Sequence, residues 1–274
     1  MIKIFDTHAH YDDNIYDEDR EVLFKKMYKD GVTDVALIGA NINDSEKEKQ
    51  IAKKYNEING MPKFYYVVGD HPDEIPKFYP DSSEGIKYLD KLESICYDDS
   101  NKLEAIAIGE IGLDYYGDSK TKEDYELQKS WFIAEVNLAK KLDLPIVVHS
   151  RDACKDTLDI IKTYASKVSG IIHCFSYEKE VALEYADMGF CIGVGGVVTF
   201  KNGRKLKEVV EAIPIENIVT ETDAPWLTPM PYRGKRNESS YIKYVIEEIA
   251  RIKKIDVETS AEVLYNNALE VYGL

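Results

Sequence analysis

The sequence predicts an α/β fold, a single TIM-type (β/α)8 barrel formed by residues 1–274. Three observations predict it. Short β-branched or apolar runs recur at 2–5, 32–38, 64–68, 105–108, 145–148, 170–172, 190–194 and 217–219. Longer charged segments with helical apolar spacing separate them, as in 125–142, where Leu127, Trp131, Ile133, Ala134, Val136, Leu138 and Ala139 recur. Each run is closely followed by glycine, histidine or a carboxylate, so the chemistry-bearing residues gather where the runs end. Strand and helix in regular alternation mean βαβ units and a parallel sheet, and eight units in one chain of 274 residues close into a barrel. A doubly wound open sheet would want a glycine-rich turn after the first strand, where this chain reads DTHAH.

Taken in order, the first run leads to His8 and His10, the second to Gly39, and the third to Gly69, Asp70 and His71. The fourth leads to Gly109 and Glu110, the fifth to His149 and Arg151, the sixth to His173 and Cys174. The seventh leads to Gly195 and Gly196, the eighth to Glu221 and Asp223. The proline-rich stretch 225–231 reads as a loop. Two amphipathic segments, 239–252 and 256–272, read as the last barrel helix and an outer cover. No internal repeat or low-complexity tract interrupts the pattern.

In a parallel barrel all C-terminal strand ends open on one face, so residues distant in sequence meet at one mouth. All five histidines of the chain lie at such ends, which random placement on helices and loops does not produce. His8 and His10 are two apart, so strand alternation points both the same way, and two imidazoles so placed can chelate one metal. Glu110 and Asp223 complete that set; His149 and His173, on neighbouring strands, pair on a second metal, with Glu110 the natural bridge. Two divalent ions sharing a water lower its pKa and clamp the oxygen that gains charge. Asp223 is also placed to take the proton of the attacking water. Mixed imidazole and carboxylate ligation suits Zn best, with Mn, Co or Mg also compatible. Taken singly, a histidine after a strand equally bonds a barrel carbonyl, Asp223 caps a helix, and Glu110 pairs in a buried salt bridge. Those readings require five coincidences at five strand ends.

Composition bounds the rest. With 50 acidic and 35 basic side chains the net charge is −15, which excludes broad neutralisation of duplex backbone; contact with nucleic acid must be local. An acidic surface also admits a neutral or cationic substrate. Cys96, Cys154, Cys174 and Cys191 are scattered without a CxxC pair, the pattern of reduced thiols in a cytoplasmic protein. No apolar run approaches the roughly 20 residues of a membrane span, and Lys3 and Asp6 break the N-terminal stretch as a secretory core. The chain is therefore expected in the cytoplasm, off the membrane, as a monomer.

At these residues the sequence resembles the TatD family of metal-dependent hydrolases, within the amidohydrolase-like barrels. The matching segments are DTHAH (6–10), GEIGLDYY (109–116), LPIVVHSRDA (144–153), HCFS (173–176), ETDAPWLTP (221–229) and RGKRNE (233–238). The resemblance implies a binuclear site: His8, His10, Glu110 and Asp223 on one metal; Glu110, His149 and His173 on the other. It also implies a deoxyribonuclease, exonucleolytic on single-stranded DNA ends, with Asp223 and Glu110 catalytic. Two departures stand out. The family's GxHPH motif carries Asp73 in place of its second histidine, and RGKRNE runs into Ser239 and Ser240 rather than proline.

For a DNA substrate, Arg151, Arg233 and Arg236 are the phosphate contacts expected, while Lys235 reads as a solvated loop residue. His71 joins them as a substrate contact, and Trp226 as a stacking platform, with Phe175 and Tyr115 weaker candidates. The glycines of 193–196 let backbone pass close to the metals, and alternation turns Cys174 away, into barrel packing. The alternative reading keeps the metal site and changes the bond, to an amide, a lactone or an aminoacyl-tRNA ester. A metal-binding module without turnover is disfavoured by the two carboxylates, which serve chemistry as much as binding.

Overall fold

The computed structural model describes residues 2–274. Eight strands pair in sequence order, all parallel: β1 Ile4–Ala9, β2 Val32–Ile38, β3 Lys63–Val68, β4 Ala107–Asp114, β5 Ile146–Arg151, β6 Gly170–Ile172, β7 Cys191–Val194 and β8 Ile218–Thr220. The predicted (β/α)8 barrel is therefore present. Its last seam closes differently from the others. Thr7 Oγ1 donates to Thr220 O at 3.1 Å, and just beyond the strands Asp223 N donates to His8 O at 2.9 Å and His10 N to Ala224 O at 2.8 Å. Side-chain hydroxyls and post-strand backbone thus join β1 to β8.

Helices α1 Arg20–Lys29, α2 Ile42–Asn56, α3 Ser83–Ile95, α4 Lys122–Leu142, α5 Cys154–Tyr164, α6 Lys179–Asp187, α7 Arg204–Ala212 and α8 Ile242–Lys253 ring the sheet. The longest, α4, begins on a capping box in which Thr121 and Asp124 satisfy each other's backbone N–H groups. Outward-facing strand residues such as Val35, Leu37, Val148 and Ile192 meet these helices in the larger core. Inward-facing Phe5, Ala36, Val67, Ala107, Val147, Ile171 and Val219 fill the barrel, as period-two alternation requires.

Two expectations change. The segment read as an outer cover, α9 (Val257–Tyr272), instead plugs the barrel floor. Ala268 and Tyr272 pack among the inward-facing residues, Tyr272 Oη donates to Thr7 O at 2.8 Å, and Asn267 Nδ2 donates to Ile215 O and Ile218 O. The amphipathic pattern is the same for a helix lying on a barrel and one lying across its end, so periodicity alone does not separate them. The fourth and fifth strands also run longer than the apolar runs indicate. β4 carries Glu110 inside it, at a register irregularity between Ile108 and Ile111, and β5 carries His149. Polar side chains aimed into the barrel mouth had ended the apolar pattern while the backbone ladder continued. Among the described residues no helix is long and apolar enough to cross a membrane, and all four cysteines are free.

Candidate metal centre

The mouth of the barrel collects all six predicted ligands. His8 on β1 and His10 just beyond its end bring their Nε2 atoms to 3.1 Å apart. Glu110 lies between the two halves of the set. Its Oε2 faces His8 Nε2 at 3.2 Å and His10 Nε2 at 3.8 Å, and its Oε1 faces His149 Nδ1 at 2.7 Å and His173 Nε2 at 3.7 Å. Asp223 Oδ1 stands 3.7 Å from His10 Nε2 and 3.9 Å from His173 Nε2. The His8 and His173 rings stack with centroids 3.4 Å apart.

The neighbours of these side chains hold them in one tautomer or orientation. His10 Nδ1 lies 3.0 Å from Ile38 O, which can only accept, so Nδ1 carries the proton and Nε2 turns a lone pair to the centre. His173 Nδ1 is held at 3.1 Å by Glu221 Oε2, while Glu221 Oε1 accepts from Cys174 N at 2.7 Å. Asp114 Oδ2 meets His149 Nε2 at 3.1 Å, and its other oxygen, Oδ1, pairs with Lys120 at 2.9 Å. Asp6, wholly buried, accepts from Thr222 Oγ1, Ser239 Oγ, Thr222 N and His8 N. Burial pushes its carboxyl up to about 7, against those hydrogen bonds. Sequence reasoning passed over Glu221, Asp114 and Asp6. The available signal was position: Asp6 and Glu221 each stand two residues before a predicted ligand.

The donor set fits divalent cations. Four imidazoles and two carboxylates converge with no lysine or arginine among them, in the subsets His8, His10, Glu110; His8, His173, Asp223; and Glu110, His149, His173. The His10 Nε2 lone pair points at His8 Nε2, and His8 Nδ1 is buried without a partner among the described residues. Without metal, protons take the cations' place. Burial lowers the His173 pKa, but the Glu221 and Glu110 carboxylates outweigh it and push it up to about 10. Burial likewise lowers His149, but hydrogen bonds to Asp114 and Glu110 outweigh it and raise its pKa to about 9. Burial and the neighbouring His173 drive His8 well below the usual range. Glu110 goes well below the carboxylate range, because His173 and His8 outweigh its desolvation. Desolvation raises Asp223 to about 6, with His173 and His10 pulling the other way.

Above the ligands opens a cavity of about 750 Å³, with Arg151, His71 and Trp226 on its wall. Arg151 stacks its guanidinium over Tyr116 at 3.6 Å from the ring centroid. His71 Nδ1 accepts from Asp73 N at 3.2 Å, so its proton sits on Nε2; desolvation pulls its pKa down to about 4 and keeps the ring neutral. Asp73, at the family's second histidine, pairs with Lys120 at 2.7 Å and so joins the chain of contacts ending at His149.

Other expected contacts lie elsewhere. Arg236 clamps Asp19 with both terminal nitrogens, at 2.9 and 2.6 Å, donates to Ile15 O and covers the Tyr16 ring. Arg233 rests over Phe200, and neither arginine lines the cavity. Lys235 covers Tyr232, and Tyr115 Oη donates to Asp156 at 2.9 Å. Cys174 corrects its expectation. β6 ends at Ile172 and Cys174 takes a left-handed φ of 45°, so alternation no longer applies and the residue lines the cavity. The glycine at 193 makes room for the Glu221 carboxylate rather than for the metals, since a Cβ there would sit 2.3 Å from Glu221 Oε2. Ser239, where proline was expected, donates to Asp6 at 2.6 Å and through its N–H to Tyr11 Oη at 2.9 Å, which proline cannot do.

Residues 5–273 match the family model described as TatD-related DNase. The chain belongs to that family. Among the relatives of this TatD-family chain is the uncharacterized metal-dependent hydrolase YabD of Bacillus subtilis, 38% identical over 272 residues and covering 99% of each chain. The uncharacterized metal-dependent hydrolase MJ1582 of Methanocaldococcus jannaschii is 31% identical, covering 99% of this chain and 97% of its own. The crystal structure of YjjV, a TatD homologue from Escherichia coli, superposes with a TM-score of 0.86 at 23% identity, over 100% of this chain and 99% of that one. The TatD-family member described here is accordingly a metal-dependent hydrolase.

Proposed function

We propose that the protein hydrolyses phosphodiester bonds at the ends of DNA, with two divalent cations bound at the barrel mouth. The observation that carries the reading is Glu110, whose two oxygens face two different sets of imidazoles. One ion would be held by His8, His10, Glu110 and Asp223, and the other by Glu110, His149 and His173. Bound there, such ions supply an acidified water and neutralise charge on a phosphoryl oxygen. The chain's own groups do the rest. Asp223, facing both His10 and His173, accepts the water's proton. Arg151, pre-oriented on Tyr116, holds a non-bridging phosphate oxygen, and neutral His71 offers an Nε2–H to another. Trp226, edge-on to His10 and 54% exposed, gives the next base a surface to stack on.

The test is nucleotide release from labelled single-stranded DNA with Mg, Mn or Zn, by wild type and Glu110→Gln. Release by the wild type alone supports the reading; equal release by both sinks it. A second reading has a specific observation in its favour. Asp12, Asp13, Asp44 and Glu74 share the cavity wall with a single arginine, a setting suited to a substrate bearing a positive group. An aminoacyl ester with a free amino group meets that description. Amino-acid release from aminoacyl-tRNA, without nucleotide release from DNA, would establish it instead.

A further inference from the structure

Beside the metal centre a second hollow, of about 150 Å³, opens off the main cavity. Asp223, Cys174, Ser176, Val197 and Leu227 line both spaces, so the hollow begins where a reacting phosphate would rest. Its walls are largely apolar: Phe175, Val197, Leu206 from α7, and Leu227. Asn202 stands at the rim, with an amide that can both donate and accept. Asp223 and Glu221 border it on the side of the metal ligands.

We propose that this hollow receives the base of the nucleotide whose phosphate is attacked, and that it takes a single-ring base. The proposal rests on the phosphodiesterase reading. Size supports it, since an apolar cavity of about 150 Å³ is filled by one benzene ring. Chemistry supports it too: apolar walls with polar groups at Asn202, Lys205 and Ser176 match a flat ring with polar atoms along one edge. Gly195 is a second, independent observation. Its φ of −106° is ordinary, and a Cβ there would meet nothing nearer than Glu221 O at 3.4 Å. Neither backbone conformation nor packing therefore demands glycine at 195. What a side chain there would reduce is the hollow itself, which Gly195 lines.

The experiment compares, with added Mn, hydrolysis of thymidine 5′-(p-nitrophenyl phosphate) and of methyl p-nitrophenyl phosphate. Both diesters release p-nitrophenolate and differ in the nucleoside. The wild type is expected to favour the thymidine ester at least about ten-fold in kcat/KM, the range of one stacked base. The adenosine counterpart is expected to fall below the thymidine ester. Leu206→Trp, which fills the hollow, should erase the thymidine preference, and Gly195→Ala should reduce it. In parallel, 13C-labelled methyl signals of Val197 and Leu206 are followed as thymidine is added to the wild type. Shifts that saturate are expected. Equal kcat/KM on all three diesters, or thymidine leaving the methyl signals unmoved, overturns the proposal. If no diester is cleaved yet the methyls shift with thymidine and not with adenosine, the phosphodiesterase reading fails while the pocket stands.

Discussion

Gly193→Ala is the most searching single substitution, because it touches no proposed ligand. The new Cβ would lie 2.3 Å from Glu221 Oε2 and 2.8 Å from its carboxyl carbon. A carbon and an oxygen in contact want about 3.3 Å, so the carboxylate must retreat by roughly 1 Å. The same carboxylate holds His173 Nδ1 at 3.1 Å and Cys174 N at 2.7 Å, and a shift of that size breaks at least one of these bonds. A hydrogen bond to a charged group contributes about 1.5–3 kcal/mol, and losing an outer partner of a metal-bound histidine weakens metal affinity by about 10–100-fold. The assay is metal content by elemental analysis after dialysis against graded free Zn or Mn, with circular dichroism to verify the fold. Gly195→Ala, with its nearest contact at 3.4 Å, is the matched control and should bind metal as the wild type does. Glu221→Gln, which keeps the shape and removes the charge, should reproduce the defect. If Gly193→Ala and Glu221→Gln both hold metal as tightly as the wild type, Glu221 does not set the His173 ring and the reasoning is wrong.

Other outcomes follow from the same geometry. With His149 near 9 and His173 near 10 in the metal-free protein, both carry protons at pH 7.5, so metal uptake should release about two protons and tighten as pH rises toward 9; calorimetry in buffers of differing ionisation heat counts them. These raised pKa values stabilise the metal-free fold below pH 6.5, and that contribution is lost as pH climbs through 9 and 10; added metal should oppose the resulting fall in Tm. Ser239→Ala removes a donor from buried Asp6 and should cost about 1–3 kcal/mol in urea unfolding. Arg236→Ala should lower stability by about 1 kcal/mol and leave KM for a phosphodiester unchanged, whereas Arg151→Ala should raise that KM; an equal rise in both would return Arg236 to the substrate side.

The barrel was legible because inward and outward positions of a strand leave a period-two record, and because helices between strands leave another. The ligands were legible because histidine is scarce in this chain and falls only at strand ends. Part of what escaped depends on partners far away in sequence. Glu221 reads as an ordinary acid until His173 is beside it, and Arg236 reads as a phosphate hand until Asp19 fills its fork. Cys174 escaped for a local reason, since one left-handed residue ends the alternation on which its assignment depended. The floor helix α9 escaped because amphipathicity states that one face is covered, not by what.

The seam between the first and last strands bears on how such a protein comes to be active. His8 and His10 stand on one side of it and Asp223 on the other, fastened by bonds such as Thr7 to Thr220, 213 positions apart. A ribosome has therefore emitted the first ligands long before the last one exists, and a chain cut short before residue 223 has His8, His10 and Glu110 but lacks the second carboxylate of their set. Metal capture becomes a checkpoint on the finished molecule. An ion held by His8, His10 and Asp223 would act as a rivet across this seam, so bound metal should slow opening of the barrel at its ends.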